Sequence, residues 1–219
     1  MKSMTPEERE CFCDILACLF SPPDHEMAEQ IHHGNIHSFF HHYLQMWGGD
    51  TETLKGFLIE GDSENILREL KEAYRHLFSS ETGREKISLV ESFYKPWTHD
   101  PHCPLPFATE KGWLMGDSAL HLLALYKQCS LELAEGQQGM PDHLVLELEF
   151  LSFLYRWKRD GEIKRFIEDH LDWIPLLRKE FKEFDSHPFY ESALEILILF
   201  LQKERERLEV EESGEKEIH

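Results

Sequence analysis

Hydrophobic positions recur at helical spacing along most of this chain. The densest case is the stretch 140–157, MPDHLVLELEFLSFLYRW. Leu144, Leu148, Leu151 and Tyr155 form one stripe, and Leu146, Phe150, Phe153 and Trp157 form a second. Only Glu147, Glu149 and Ser152 interrupt the apolar run. A helix that is apolar on two sides belongs in the middle of a bundle. Pro141 suits its first position, where no N–H is needed, and Asp142 follows at the positive end of the helix dipole. This reading puts Asp142 and His143 at the mouth of a central helix, where unpaired backbone N–H groups meet ligands.

The remaining pattern is also helical. Thr5-Pro6-Glu7-Glu8 combines a capping residue, a first-turn proline and first-turn acids, so a helix begins there and runs to about Leu19. A second helical region starts near Pro23-Asp24, breaks at Gly34-Asn35 and resumes through Phe39, Phe40, Tyr43, Leu44 and Trp47 until Gly48-Gly49. A short helix is expected over 52–59. Ser63 then caps another, whose apolar face is Ile66, Leu67, Leu70, Tyr74, Leu77 and Phe78 and which ends at Ser79-Ser80. Beyond the aromatic segment 89–94, residues 95–114 form an irregular loop that mixes Pro96, Pro101, Pro104 and Pro106 with Trp97, Phe107 and Trp113. Loops of this length are functional or disordered, and the aromatics argue against disorder. Asp117 or Ser118 caps a helix over 119–133, and residues 135–139 form a Gly/Gln linker into the central helix. Further helices are expected over 162–170, over 172–184 with Pro175 in the first turn, and from Pro188 to about Val210.

No alternating strand pattern with hairpin turns occurs, and there is no internal repeat. The prediction is all-α: a single helical bundle domain over 1–210 with about ten helices, a long Pro/aromatic loop before its second half, and a polar tail at 211–219.

Composition narrows the function. The 219 residues carry a formal net charge of −19, which argues against nucleic acid because phosphate binding needs a basic surface. Acidity favours basic partners such as an Arg-containing peptide, although it also serves plain solubility. The five cysteines are an odd number and suggest no disulfide framework. The apolar stretch 11–20 contains Asp14 and follows Glu7, Glu8 and Glu10, so it does not read as a signal peptide. The run 196–201 is too short to span a bilayer. A cytoplasmic protein with reduced thiols and no membrane insertion is expected.

Several residue groups offer chemistry. His33, His37 and His41 are spaced by four and would share a face of a continuous helix, a zinc-like arrangement, with His32 and His42 beside them. Gly34-Asn35 threatens that continuity, and a solvated histidine face is the simpler reading. His99, Asp100, His102 and Cys103 mix ligand types within one loop, but no C-x-x-C pair supports them. Gly56 and Gly61 have P-loop spacing, but Asp62 stands where lysine is required, so the motif is discarded. No nucleophile elbow or paired-carboxylate motif suggests an enzyme. Asp142 and His143 are adjacent, hence about 100° apart on a helix and poorly placed as a catalytic dyad. Asp142 could instead accept an arginine guanidinium.

Two blocks resemble the TorD/DmsD/NarJ family, all-helical chaperones for molybdenum-containing oxidoreductases. Pro141-Asp142-His143-Leu144 followed by Glu147-Leu148-Glu149-Phe150-Leu151 is the more specific. The other block, 70–94, holds Tyr74-x-x-Leu77-Phe78 and Glu91-Ser92-x-Tyr94, which resemble earlier family motifs in the same order, although Ser79-Ser80 and Leu89-Val90 depart from the usual flanking residues. The resemblance spans roughly 70–201. It implies a non-enzymatic chaperone without a cofactor, which binds the twin-arginine signal peptide or apo form of a molybdopterin oxidoreductase subunit and delays export until the cofactor is loaded. The peptide-binding residues it implies are Tyr74, Leu77, Phe78, Glu91, Ser92, Tyr94, Asp142 and His143. It is compatible with a monomer or a domain-swapped homodimer exchanging at the 135–139 linker. The alternative is a metal-binding or redox helical protein using the His-rich segment or the 99–103 loop.

Overall fold

A computed structural model describes residues 4–79 and 87–216, with side chains to 210. Among these residues the architecture is all-α, as the periodicity predicts. In chain order the helices are α1 (Pro6–Phe20), α2 (His25–His32), α3 (Asn35–Trp47), α4 (Ser63–Phe78), α5 (Asp117–Gln128), α6 (Leu144–Trp157), α7 (Asp160–His170), α8 (Ile174–Glu183) and α9 (Pro188–Lys216). Two 3-10 segments, Thr51–Phe57 and Glu91–Phe93, complete the described elements. No helix is long and apolar enough to cross a membrane among the described residues.

Local chemistry sets most boundaries. Thr5 and Glu8 form a reciprocal capping box at α1: the Glu8 amide donates to Thr5 Oγ1 at 3.2 Å and the Thr5 amide to Glu8 Oε2 at 2.7 Å. Gly34 and Gly48, both with φ near +70°, separate α2 from α3 and end α3. The core runs through the bundle centre. Phe12 of α1 stacks on Phe200 of α9 with centroids 4.6 Å apart and meets Phe40 and Tyr43 of α3 edge-on. α1 lies along α6, and the 3-10 segment Thr51–Phe57 lies against α9.

Six expectations are corrected. The segment 52–59 is a 3-10 turn rather than an α-helix. Asp62, not Ser63, caps α4, accepting from the Asn65 amide at 2.8 Å. α5 ends at Gln128, short of 133. Ser130 takes a left-handed φ of 58°, the Leu131 amide donates to the Tyr126 carbonyl at 2.9 Å and the Ser130 amide to Lys127 at 3.1 Å. This is a Schellman closure built without glycine, so the usual stop signal is missing from the sequence. The central helix starts at Leu144 rather than Pro141, with His143 as its cap. Trp157, expected in the second buried stripe, is 66% exposed. The backbone of α9 stays helical past Val210 to Lys216; 217–219 and Ser80 lie outside the described residues.

Candidate functional site

The late start of α6 is the decisive local fact. Pro141 and Asp142 form a turn, closed by the His143 amide donating to the Met140 carbonyl at 3.2 Å, and His143 is extended because it pairs with the segment before Glu91–Phe93. The Glu91 amide donates to the Asp142 carbonyl at 2.9 Å, and the Leu144 amide donates to the Leu89 carbonyl at 2.7 Å, which makes an isolated antiparallel bridge between Val90 and His143. The Asp142 side chain then reaches back across the same junction. Its Oδ2 accepts from the Ser92 amide at 2.8 Å and from the Ser92 hydroxyl. The two motif blocks, about fifty residues apart in sequence, are thus tied together by both main chain and side chain.

Burial overturns the expectation of an open acidic mouth. Asp142 is 0% exposed and has no surface to offer an incoming arginine. Burial raises its carboxyl above the usual range, with the Ser92 donors acting in the opposite direction. His143 is half-buried, and its Nδ1 accepts from the Val145 amide at 3.2 Å, which caps α6. Burial pulls its imidazole down to about 4.

Glu91 and Ser92 are also buried. Glu91 Oε2 faces His170 Nδ1 at 3.0 Å, and Glu91 Oε1 faces the Lys95 ammonium at 2.6 Å. Burial works against the Glu91 charge, but these partners more than offset it and hold the carboxyl below its ordinary value. Lys95 is held in turn by Asp172 Oδ1 at 2.5 Å and the Asp169 carbonyl at 2.7 Å. Tyr94 stacks on Trp173 with centroids 4.9 Å apart and donates to Glu180 Oε2 at 2.6 Å. Burial and that carboxylate push its phenol well above its normal range.

Tyr74, Leu77 and Phe78 form a separate group on α4. Phe78 meets Tyr190 edge-on at 5.3 Å and Phe181 at 6.1 Å, and Tyr74 lies 5.1 Å from Phe78. Leu77 is buried and borders a concavity of about 400 Å³ against the α8–α9 junction. The structure therefore brings Glu91, Ser92, Asp142 and His143 together and links Tyr94 to them through the 3-10 turn. The α4 trio sits apart, connected through α8 and the bond from the Ile87 amide to the Leu77 carbonyl.

Four participants were not legible as site residues. Glu147, read as a polar interruption of α6, is 0% exposed; its Oε2 accepts from Trp173 Nε1 at 3.1 Å while Oε1 has no hydrogen-bond partner. Burial and the neighbouring Glu91 carboxyl raise Glu147 well above its normal range. His170, Trp173 and Lys95 complete the set. One signal for Glu147 was present in the sequence: an acid inside a doubly apolar helix has to be buried and accounted for.

The metal-like patterns do not assemble. Gly34 splits His33 from His37 and His41, whose rings alone stack, 5.7 Å apart. Neither that segment nor the 99–103 loop brings three donor groups together among the described residues.

The loop 95–116 is ordered by its own contacts. The amides of Trp97 and Thr98 donate to the carbonyls of Glu110 and Ala108 at 2.9 and 2.8 Å, and Thr98 Oγ1 donates to Asp117 Oδ2 at 2.9 Å. Trp97, Phe107 and Trp113 pack in sequence at 5.3 and 4.9 Å. Trp113, Leu114, Phe93 and Leu120 nevertheless remain 41–52% exposed on this loop and the elements adjoining it. Large apolar side chains left exposed on adjoining elements are candidate interaction positions.

A model of the nitrate reductase delta subunit family matches residues 42–187. The chain belongs to that family. The family match contains both motif blocks and every residue of the buried network just described. Among its relatives, the chaperone protein TorD of Vibrio vulnificus is 30% identical over 115 residues, 45% of this chain and 54% of that protein. The TorD chaperone of Vibrio cholerae O1 El Tor is 24% identical over 168 residues, 68% and 75% of the two chains. The selenate reductase assembly chaperone of Thauera selenatis is 37% identical over 78 residues, 30% and 40%. The chain thus spans about half the length of the first of these relatives. A solved structure from Archaeoglobus fulgidus, named for redox enzyme maturation, aligns over 95% of this chain and 96% of its own with a TM-score of 0.49 and 22% identity.

Proposed function

We propose that this family member is a maturation chaperone for a molybdopterin-containing oxidoreductase subunit. It binds the twin-arginine signal peptide or another unfolded segment of the apo-enzyme in the cytoplasm and delays export until the cofactor is in place. The observation that carries this reading is the exposed aromatic loop standing on a rigid buried knot. Phe93, Trp113, Leu114 and Leu120 offer apolar area to an extended or helical peptide. Asp100, Glu110 and Asp117 are exposed on the same stretch, where they can meet arginines that the buried Asp142 cannot reach. The net charge of −19 attracts a cationic peptide at long range. In this reading Asp142, Ser92, Glu91 and His143 act on the peptide by holding the segment that carries Phe93. Tyr74, Leu77, Phe78 and Tyr94 support that segment through α8.

The test is a calorimetric titration of a synthetic twin-arginine signal peptide at several salt concentrations, with co-purification of a molybdoenzyme precursor beside it. Affinity in the micromolar range, about −8 kcal/mol, that weakens with salt supports the reading. Absence of binding to any such peptide together with failure to retain the precursor refutes it.

A further inference from the structure

The geometry points to a buried site for a first-row divalent cation of the zinc type, formed by Glu91, Glu147 and His170. One ligand-capable atom from each lies within 4.8 Å of the others, the only such group of three among the described residues. The three come from different elements, the 3-10 turn, α6 and α7, and they are 0%, 0% and 1% exposed. A mixed set of two carboxylates and one imidazole matches zinc-type ions better than calcium or magnesium, which take oxygen ligands throughout.

An independent observation marks the space between them. Trp173 Nε1 fixes Glu147 Oε2, yet Glu147 Oε1 is completely buried with no hydrogen-bond partner. It faces the Glu91 carboxyl rather than a donor. Two buried carboxyls in contact need a positive species between them, either a shared proton or a metal ion. Lys95 occupies the other oxygen of Glu91, at 2.6 Å, and is already shared with Asp172. Asp142 adds a further buried carboxyl close by. His170 places its two ring nitrogens on different partners. Its Nδ1 points at Glu91 Oε2, and its Nε2 lies 2.9 Å from Nδ1 of the exposed His121. In the metal-bound form His170 Nε2–H donates to His121, which fixes the tautomer that frees Nδ1 for the ion. His121 also marks the side of the site nearest solvent.

The test uses the full-length protein stripped with chelator and titrated with Zn²⁺ against a chromophoric competitor. One equivalent is expected to bind. Glu147→Gln should lower the affinity at least tenfold while leaving the fold intact, because the glutamine amide copies a protonated glutamate and can donate to Glu91. His170→Gln should lower it similarly. His37→Ala/His41→Ala and Cys103→Ser should leave it unchanged. Substitution with Co²⁺ in the unaltered protein should give ligand-field bands without a thiolate charge-transfer band, which reads the donor set without any mutation. The inference is overturned if the folded, stripped protein takes up no stoichiometric metal, because a shared proton then fills the gap. It is equally overturned if uptake survives Glu147→Gln and His170→Gln but fails in the His37/His41 or Cys103 variants.

Discussion

Ser92 gives both its backbone amide and its hydroxyl to a single oxygen of Asp142, fifty positions further along the chain. That one carboxylate closes the junction between the 3-10 turn and the start of α6 inside the protein. Asp142→Ala removes a buried acceptor and strands two donors, so it should cost about 2–4 kcal/mol. Asp142→Asn keeps an oxygen for both donors and should cost less. A double-mutant cycle with Ser92→Ala, read by urea denaturation, should show a coupling of about 1–3 kcal/mol. Additive single losses would mean that the pair is not energetically joined.

His143 makes stability depend on mild acid. Its folded pKa of about 4 lies below the ordinary imidazole value of 6.5. Between those values the unfolded chain binds a proton that the folded chain refuses, so stability falls as pH drops from 6.5 toward 4 and is undiminished above 6.5. The shift corresponds to about 2–3 kcal/mol, less whatever its partial contact with solvent screens. His143→Asn retains a capping oxygen for Val145 and removes this contribution. The denaturation midpoint of the parent should therefore fall relative to that of His143→Asn as pH is lowered through that window.

Glu204 ties three helices together. It accepts from Arg9 Nε at 2.8 Å, Tyr155 Oη at 2.9 Å and Arg207 Nε at 3.0 Å, and it is 3% exposed. Glu204→Ala removes a buried acceptor shared by two guanidiniums and a phenol and should cost about 3–5 kcal/mol. Thermal melts should show a drop well beyond that of the exposed control Glu168→Ala.

Gly56 is required by a close approach. A methyl group there would overlap the Pro188 carbonyl oxygen and lie 2.5 Å from Ser192 Oγ. Its amide donates to that same hydroxyl at 3.1 Å. Gly56→Ala should push the 3-10 segment Thr51–Phe57 off α9 and cost about 1–3 kcal/mol. Hydrogen exchange should show the loss concentrated in residues 51–57.

The exposed apolar side chains separate binding from stability. Trp113→Ser and Leu120→Ser should each weaken twin-arginine peptide binding about tenfold, as anchor residues do. Their melting behaviour should stay within about 0.5 kcal/mol of the parent. Loss of stability without loss of affinity would remove this surface from the binding reading.

The sequence determined by itself whatever depends on neighbours along the chain. Helical spacing in α1, α4 and α6, the Thr5–Glu8 capping box and the glycines at 34 and 48 are local signals, and each names its element without knowing the rest. The two motif blocks likewise identified the family, since a motif is a statement about sequence. Tertiary structure decided everything that required a partner from elsewhere. Pro141-Asp142 looks like a helix start, and it would be one if segment 89–92 did not claim its carbonyl and carboxylate. Glu147 looks like a solvated break in a hydrophobic run until Trp173 and His170 arrive beside it. Ser130 ends α5 in a backbone conformation that its side chain does not announce. Pairing energies between distant residues leave no periodicity behind, so the acidic groups expected at an open mouth were found sealed in the interior, facing one another.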